Sequence, residues 1–516
     1  MQQLRSLAQV QAWLAQNVTR ALQSDSRKVQ AGDGFVAWPG AATDARNHVI
    51  AALAQGAAVC LVEHDGVQAF GFDDPRIASY AHLKRDIGPI AAATLGEPSH
   101  AMSVVAVTGT NGKTSTAWWL AQALSGLPRG KHIPCGVIGT LGVGCPPAIG
   151  ASLPADSAGV LETGLTTPDP VLLQRTLRAF ADAGLQACAI EASSIGIEEC
   201  RLDGTRFRVA IFTNFTQDHL DYHGSMEAYW LAKAKLFAWK GLEQAVINLD
   251  DAQGAPLAAT VAARGVDVWT VSMRSPARLR AHAVAHSAHG LSFEITEGGE
   301  RGETCPVQTR MIGDYNVANL LGVIAAMRCL GVSLVDAAAV CAHLQPVPGR
   351  MECLGGEDAP VVAVDYAHTP DALAKALAAL RPLAQSRGGQ LWCVFGCGGD
   401  RDNAKRPLMG ALAVQHADRV IVTSDNPRSE KPEAIVAQIL LGAVPSDAVQ
   451  VQVQVDRATA IATAVAHAQA HDVILLAGKG HESTQDTAGV KVPFSDMAHA
   501  QAALQRRSAA LAGVSA

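Results

Sequence analysis

The sequence predicts an α/β protein of three units: a small α/β unit over residues 1–98, a central P-loop type sheet over 99–345 and a Rossmann-like unit over 346–516. Three observations carry that expectation. At 516 residues the chain is too long for one hydrophobic core. The stretch from Ser103 to Leu124 reads strand, glycine loop, helix. Beyond residue 346, short apolar runs alternate with Ala/Leu-rich helical segments, the pattern of a doubly wound sheet.

Composition narrows the function class. The chain is 49% hydrophobic and 17% charged, with net charge −6, so nothing electrostatic points to nucleic acid or an acidic membrane. Anionic substrates must be met by local cations. The 11 cysteines form no Cys-x-x-Cys pair, and Cys393 with Cys397 sits in a glycine turn, so neither a disulfide framework nor a zinc site is indicated. The start, Met1-Gln-Gln-Leu-Arg-Ser6, lacks a basic segment followed by an apolar core. No run approaches the roughly 18 apolar residues of a membrane span. The expectation is a cytoplasmic protein with reduced thiols, acting as a monomer.

In the first unit a helix is expected from Leu7 to Gln16, then a polar turn Ser24–Lys28, the run Gly34–Ala37, an Ala-rich helix and the strand Ala58–Val62. The turn and the loop Pro39–Asp44 have the polarity of a ligand site and equally that of solvated turns.

The central unit opens on Ser103-Val-Val-Ala-Val-Thr-Gly-Thr-Asn-Gly-Lys-Thr-Ser-Thr116, ahead of a helix expected at Ala117–Leu124. This is the order of P-loop ATPase sheets. Gly109 and Gly112 let backbone N–H groups approach phosphate oxygens, Lys113 reaches the outer phosphates, and the Thr114 hydroxyl can ligate Mg²⁺. The strict pattern has a glycine where Val107 stands, so the loop is a shortened version. Further on, the strand Ala187–Ile190 ends in Glu191-Ala-Ser-Ser194, and the strand Val209–Phe212 ends in Thr213-Asn-Phe-Thr-Gln-Asp-His219. Ligands of open α/β sheets bind beyond the carboxyl ends of strands, which puts Glu191 and His219 at that edge; polar residues capping helices would stand there too.

The third unit is expected to hold strands Val361–Val364, Gln390–Phe395, Arg419–Thr423 and Asp472–Leu476. Each runs into a polar cluster: Asp365-Tyr-Ala-His-Thr-Pro-Asp371, Gly396-Cys-Gly-Gly-Asp-Arg-Asp402, Ser424-Asp-Asn-Pro-Arg-Ser-Glu430 and Gly478-Lys-Gly-His-Glu482. Clusters at the same end of neighbouring strands converge on one cleft. The tail after Asp496 reads as a closing helix.

These motifs, taken with Thr166-Thr-Pro-Asp169, Lys233, Asn316, Asn319 and Pro348-Gly-Arg-Met-Glu352, occur in an order that closely resembles the Mur ligases, ATP-dependent amide-forming enzymes of peptidoglycan precursor assembly. The resemblance covers nearly the whole chain. It implies a UDP-binding first domain, an ATP-binding central domain and an amino-acid-binding third domain, with ATP as co-substrate and Mg²⁺ as cofactor. It assigns Gly109, Thr110, Asn111, Gly112, Lys113 and Thr114, with Asn316, Asn319, Asp250, Arg350, Asp365 and His368, to ATP. Thr114, Glu191 and His219 are implied to hold Mg²⁺. Lys233 matches the lysine that the family carbamylates (N6-carboxylysine), adding a further metal ligand; without the motif it would read as an exposed helix lysine, as neighbouring Lys235 does.

The resemblance also puts a UDP-N-acetylmuramoyl-dipeptide at Ser26 and the 41–44 loop, and along Thr166, Thr167, Ser193, Glu199 and Arg201. Two departures stand out, Ile195 where relatives have histidine and Glu199 where they have glutamine. A glutamate brings only acceptors and a negative charge toward an anionic ligand. Asp425, Asn426, Pro427 and Arg428 resemble the signature of family members that use meso-diaminopimelate, and Arg401, Gly478 and Glu482 match the remaining contacts. Arg428 suits the extra carboxylate of diaminopimelate as a planar fork; pairing with nearby Glu430 is the alternative. The rivals are a lysine-adding or folate-polyglutamate-forming member of the superfamily and a non-catalytic P-loop binding protein.

Overall fold

The computed structural model describes residues 1–40, 43–151, 159–287, 290–299, 302–444 and 449–514. Ala41 and Ala42, half of the loop expected at the uridine, lie outside the described residues. Three sheets follow one another along the chain. The first is all parallel, in spatial order Gln2–Leu4, Ile77–Tyr80, Val59–Glu63, Gly34–Ala37 and Leu22–Gln23. Its β-branched runs are buried on both faces, as expected where helices cover a parallel sheet.

Among the described residues the central sheet has eleven strands, of which seven form a parallel core: Leu279–Ser287, Asp267–Ser272, Gln244–Asn248, Val209–Phe212, Ser103–Thr108, Ala187–Glu191 and Cys135–Gly139. Glu191 pairs with Val107 and Phe212 with Thr108, so the segments beginning at Gly109, Glu191 and Thr213 leave the sheet at one edge. Helix Lys113–Ser125 starts four residues before the expected Ala117, because Gly112 takes the left-handed conformation (φ 86°) that lets the chain turn straight from loop into helix. The helix is packed all round, with Trp118 and Trp119 each 1% exposed. Burying such rings contributes about 1.5–3 kcal/mol apiece. Antiparallel strands Gly290–Glu297 and Glu303–Thr309 extend one side of the sheet and Gly142–Gly144 with Val160–Leu161 the other.

The third sheet runs in the order Glu352–Gly356, Ala359–Asp365, Val473–Ala477, Leu391–Phe395, Arg419–Val422, Gln450–Val453. Asp365 and Phe395 both pair with Ala477, and Phe395 also with Val422, so four strands end level. The four polar clusters therefore leave from one edge. A ribbon, Thr484–Thr487 with Val490–Pro493, rises from the last cluster and reaches Arg428 through a bridge at Thr487. The final helix, Asp496–Val514, begins inside the core, where Asp496 is fully buried against Arg457. No helix among the described residues is long and apolar enough to cross a membrane.

Candidate functional site

Segment 213–216 clamps the phosphate loop. Thr110 N donates to Asn214 O (2.8 Å), Asn111 N to Asn214 Oδ1 (2.9 Å), and Thr213 Oγ1 to Asn111 O (2.7 Å). A Cβ at Gly109 would lie 1.9 Å from Thr213 Oγ1 and one at Gly112 2.3 Å from Asn319 Oδ1, so glycine is required at both. Two lysines, Lys113 half-buried and Lys233 buried, converge on the loop. Lys113 Nζ donates to Gly109 O and Thr110 O, both at 2.9 Å, and Lys233 Nζ to Gly109 O at 2.7 Å. Burial lowers the Lys113 ammonium below its ordinary range. Burial, and then the charge of Lys113, holds Lys233 well below its own. Lys233 is only 1% exposed and its Nζ sits 4.4 Å over the Tyr229 ring, so it is not the solvated helix lysine its surroundings in the sequence suggest.

Beside the loop, Thr114 Oγ1 donates to Glu191 Oε2 at 3.0 Å. Thr140 holds the same carboxylate through its N (2.7 Å to Oε1) and Oγ1 (3.1 Å to Oε2). His219 is left-handed (φ 51°), with Nε2 3.4 Å from Asp218 Oδ2. Burial lowers its imidazole, against the pull of Asp218. Burial opposes ionisation of Asp218, but the charges of His219, His368 and Lys405 carry its carboxyl below the ordinary range.

The third sheet closes the cleft. Arg350 Nη2 donates to Thr114 Oγ1 (3.2 Å), and Asn111 Nδ2 to Asp371 Oδ2 (3.0 Å). Asp365 accepts from Met351 N, and burial pushes its carboxyl up to about 6. Burial takes the His368 imidazole down to about 4. Asn319 Nδ2 donates to Asn316 Oδ1, fixing both amides at the loop. The loop from Thr110 to Thr114 lines one cavity of about 220 Å³ with Thr140, Glu191, Asp218, His219, Asn316, Asn319, Arg350, Asp365 and His368, while Lys233 lies behind Gly109. That is smaller than the roughly 300–1,000 Å³ of a typical ligand pocket, and Arg350 reaches over it to Thr114.

Tyr366 connects this cleft to the second cluster of predicted residues. Its ring lies 4.2 Å from the Arg350 guanidinium on one side and 5.3 Å from the His481 ring on the other. Next to it, Asn426 Nδ2 donates to Glu482 Oε2 at 2.7 Å. Gly478 (φ 114°) admits no side chain, since a Cβ would meet Asp425 Oδ2 at 2.4 Å. Burial raises the Asp425 carboxyl. Arg428 is left-handed (φ 51°), pinned by its N–H to Asp486 O (3.0 Å) and by its carbonyl accepting from Ala488 N (2.6 Å). Its Nη1 donates to Gly399 O at 2.6 Å. The Arg428–Glu430 pairing does not occur: the fully buried Arg406 takes Glu430 at 2.8 and 2.9 Å and pulls its carboxyl to about 2. Pro427 is buried, and Arg401 is exposed, its Nη1 donating to Asp400 O at 3.4 Å.

Residues 107–327 match the Mur ligase middle domain, and residues 349–480 match the Mur ligase glutamate ligase domain. Over 508 residues, 98% of each chain, the sequence is 57% identical to the "UDP-N-acetylmuramoyl-L-alanyl-D-glutamate--2,6-diaminopimelate ligase" of Acidovorax sp. (strain JS42). The chain belongs to the Mur ligase family. A relative of the same name from Janthinobacterium sp. (strain Marseille) is 48% identical over 97% of both chains. A solved structure of a ligase with that name superposes with TM-score 0.63 at 33% identity, covering 95% of both chains.

In this Mur ligase the residues expected along the dipeptide fall into two groups. Thr166 lines the cleft, and Thr167 Oγ1, which donates to Glu191 O (2.7 Å) and meets Ser193 Oγ (2.9 Å), lies just behind it. Ser193 caps helix Ser194–Glu198, and Arg201 Nη1 donates to Thr167 O at 3.1 Å. Glu199 is turned away: Lys84 of the first unit takes its carboxylate at 2.7 Å and the Tyr222 hydroxyl donates to it at 2.5 Å. Ile195 is half-buried on the short helix. Ser26 stands in the 3-10 turn Ser26–Lys28, away from the cleft, beside an Asp25–Arg27 pair. Asp250 accepts from Ser272 Oγ, Met273 N and Arg274 N and does not line the cleft. Sequence reasoning missed Tyr366, Asp218 and Asp371 as site residues, although each stands inside a motif it had singled out.

Proposed function

We propose that this Mur ligase joins meso-diaminopimelate to the D-glutamate of UDP-N-acetylmuramoyl-L-alanyl-D-glutamate, consuming ATP through an acyl phosphate, in peptidoglycan precursor synthesis. The observation that carries this reading is a pair of aligned strand edges linked by Tyr366 against Arg350, one ending in a glycine-lysine loop that suits phosphate and the other in four polar clusters that suit an amino acid. Identity with similarly named relatives along almost the entire chain supports it.

A carboxylate and an ammonium at neutral pH form a salt, so the carboxylate must first gain a leaving group. A D-glutamate oxygen attacks the γ-phosphorus, the bridging P–O bond breaks and ADP departs. The amine nitrogen then attacks the acyl carbon, the tetrahedral intermediate expels phosphate, and the nitrogen loses a proton. Loop N–H groups and Lys113 stabilise the charge that spreads over the transferring phosphoryl oxygens. Lys113 gives up two carbonyl contacts to do so and regains its proton affinity beside the anion. Arg350, already over the loop, orients the nucleotide with Asp365 and His368.

Thr114, Glu191 and His219 are the residues that would hold Mg²⁺, and the hydroxyl and carboxylate oxygens meeting at 3.0 Å in the cleft wall suit that ion. When bound, it supplies positive charge beside the phosphates. The depressed Lys233 amine is suited to carbamylation: the neutral nitrogen attacks CO₂ and loses a proton, and the carbamate keeps an N–H for Gly109 O. Glu199 acts as a tie between the first and central units rather than as a substrate donor. Soluble nucleotide substrates fit a cytoplasmic location. The deciding experiment is phosphate release with ATP and the UDP-dipeptide: release is expected with meso-diaminopimelate and not with L-lysine, and no release with all three substrates would overturn the reading.

A further inference from the structure

The turn Gly478-Lys-Gly-His-Glu482 follows strand Val473–Ala477 and holds a lysine that none of the proposed contacts uses. Lys479 is 0% exposed. Its ammonium has three protons and three acceptors: Asn426 Oδ1 at 3.0 Å, Glu482 Oε2 at 2.8 Å and Thr484 O at 2.8 Å. Asp486 N donates to the same Asn426 Oδ1 at 3.0 Å, which fixes the amide with its NH₂ toward Glu482. Glu482 thus has Oε2 filled twice, by Lys479 and Asn426, while Oε1 has no partner among the described residues. The turn is rigid at its root, since the buried Arg457, paired with Asp496, donates to Ser424 O (3.2 Å) and Ala477 O (3.0 Å), joining the strand ends that carry both loops.

The charges then decide what the pocket accepts. Glu482 and Lys479 cancel, leaving one open acceptor oxygen but no net negative charge. Arg428, whose Nη1 donates to the carbonyl of Gly399, has no ion-pair partner within 4 Å among the described residues and keeps a cation nearby. A ligand end carrying both an ammonium and a carboxylate satisfies Oε1 and Arg428 together. A lone ammonium finds a neutral pair and a repelling guanidinium. Asp425 faces either ligand alike and drops out of the comparison.

We propose that Lys479 is a positioning residue for amine selection: by aiming and neutralising Glu482 it makes the pocket specific for a zwitterionic amino-acid end over a bare ammonium. This inference rests on the ligase reading above. The test is phosphate release by the full chain with meso-diaminopimelate or L-lysine, L-lysine being scored as a competitive inhibitor where turnover is too slow. In Lys479→Met the preference for diaminopimelate should fall by about tenfold or more, the size of one charge-assisted contact, through KM for the amino acid. KM values for ATP and the UDP-dipeptide should stay unchanged. The double variant Lys479→Met/Glu482→Gln, neutral again at the pair, should recover part of the preference. An unchanged preference, or a parallel rise in all three KM values, overturns the proposal. Should Lys479→Met fail to fold, Glu482→Gln alone decides, since the unbalanced ammonium must then reject L-lysine more strongly than diaminopimelate; equal losses overturn it. Absence of diaminopimelate-dependent release in the wild-type chain would instead sink the ligase reading itself.

Discussion

Two sets of cations, one at the edge of the central sheet and one at the edge of the third, are held in opposite ways. At the phosphate loop, Lys113 and Lys233 donate to backbone carbonyls and, among the described residues, form no ion pair, and burial drives both ammonium groups down. In the third sheet Arg406, Arg457 and Lys479 each face a carboxylate, Glu430, Asp496 and Glu482. The first arrangement is costly by itself and is relieved when anions arrive; the second is balanced in advance and shapes loops. On the proposed reading, a site that gathers phosphate and carboxylate keeps its cations unmatched, and one that discriminates between similar amines matches nearly all of them and leaves Arg428 over.

The strongest way to break this contrast is at the loop. Lys113→Met and Lys233→Met are each expected to lower kcat about 10²–10³-fold, the cost of losing a transition-state charge contact, as read by phosphate release. Lys233→Met should also abolish a ¹³C carbamate resonance under ¹³CO₂, and an unmodified Lys233 in active wild-type enzyme would end the carbamate assignment. Arg428→Ala should raise KM for diaminopimelate by about 10- to 150-fold and leave KM for ATP alone. Equal effects on both would mean the cation is part of a shared scaffold.

Smaller effects sharpen the picture. Burial raises Asp365 to about 6, so between pH 4 and 6 the folded state holds a proton that the unfolded chain releases. Wild type should therefore lose stability relative to Asp365→Asn as pH rises through that window, measured by thermal unfolding. Least of all, Glu199→Gln weakens a partly exposed tie to Lys84, and about 1 kcal/mol or less of stability should be lost in denaturant titration, with little change in KM for the UDP-dipeptide.

The strand-and-loop order was legible because parallel strands buried on both faces leave continuous apolar runs and polar residues gather where they end. Glu191, His219 and Arg428 could be placed at sheet edges on that ground alone. The antiparallel hairpin escaped notice although Leu291, Phe293 and Ile295 alternate as a half-buried strand should. What no local pattern could supply were pairings made across long sequence separations. Glu199 meets Lys84, Glu430 meets Arg406 rather than Arg428, and Asn111 meets Asp371. The first and last depend on how separate units dock and the second on how two loops of one unit meet, none of which residue spacing encodes.

The left-handed backbone at His219 and Arg428, neither of them glycine, has a consequence for the chain's stability. Each such position is strained by about 1–2 kcal/mol, so glycine there would give a sturdier chain. A search for heat resistance alone would drift toward His219→Gly and Arg428→Gly, and arrive at a durable protein that no longer recognises anything. A bulky side chain at both sites therefore gives up endurance for the contacts proposed above.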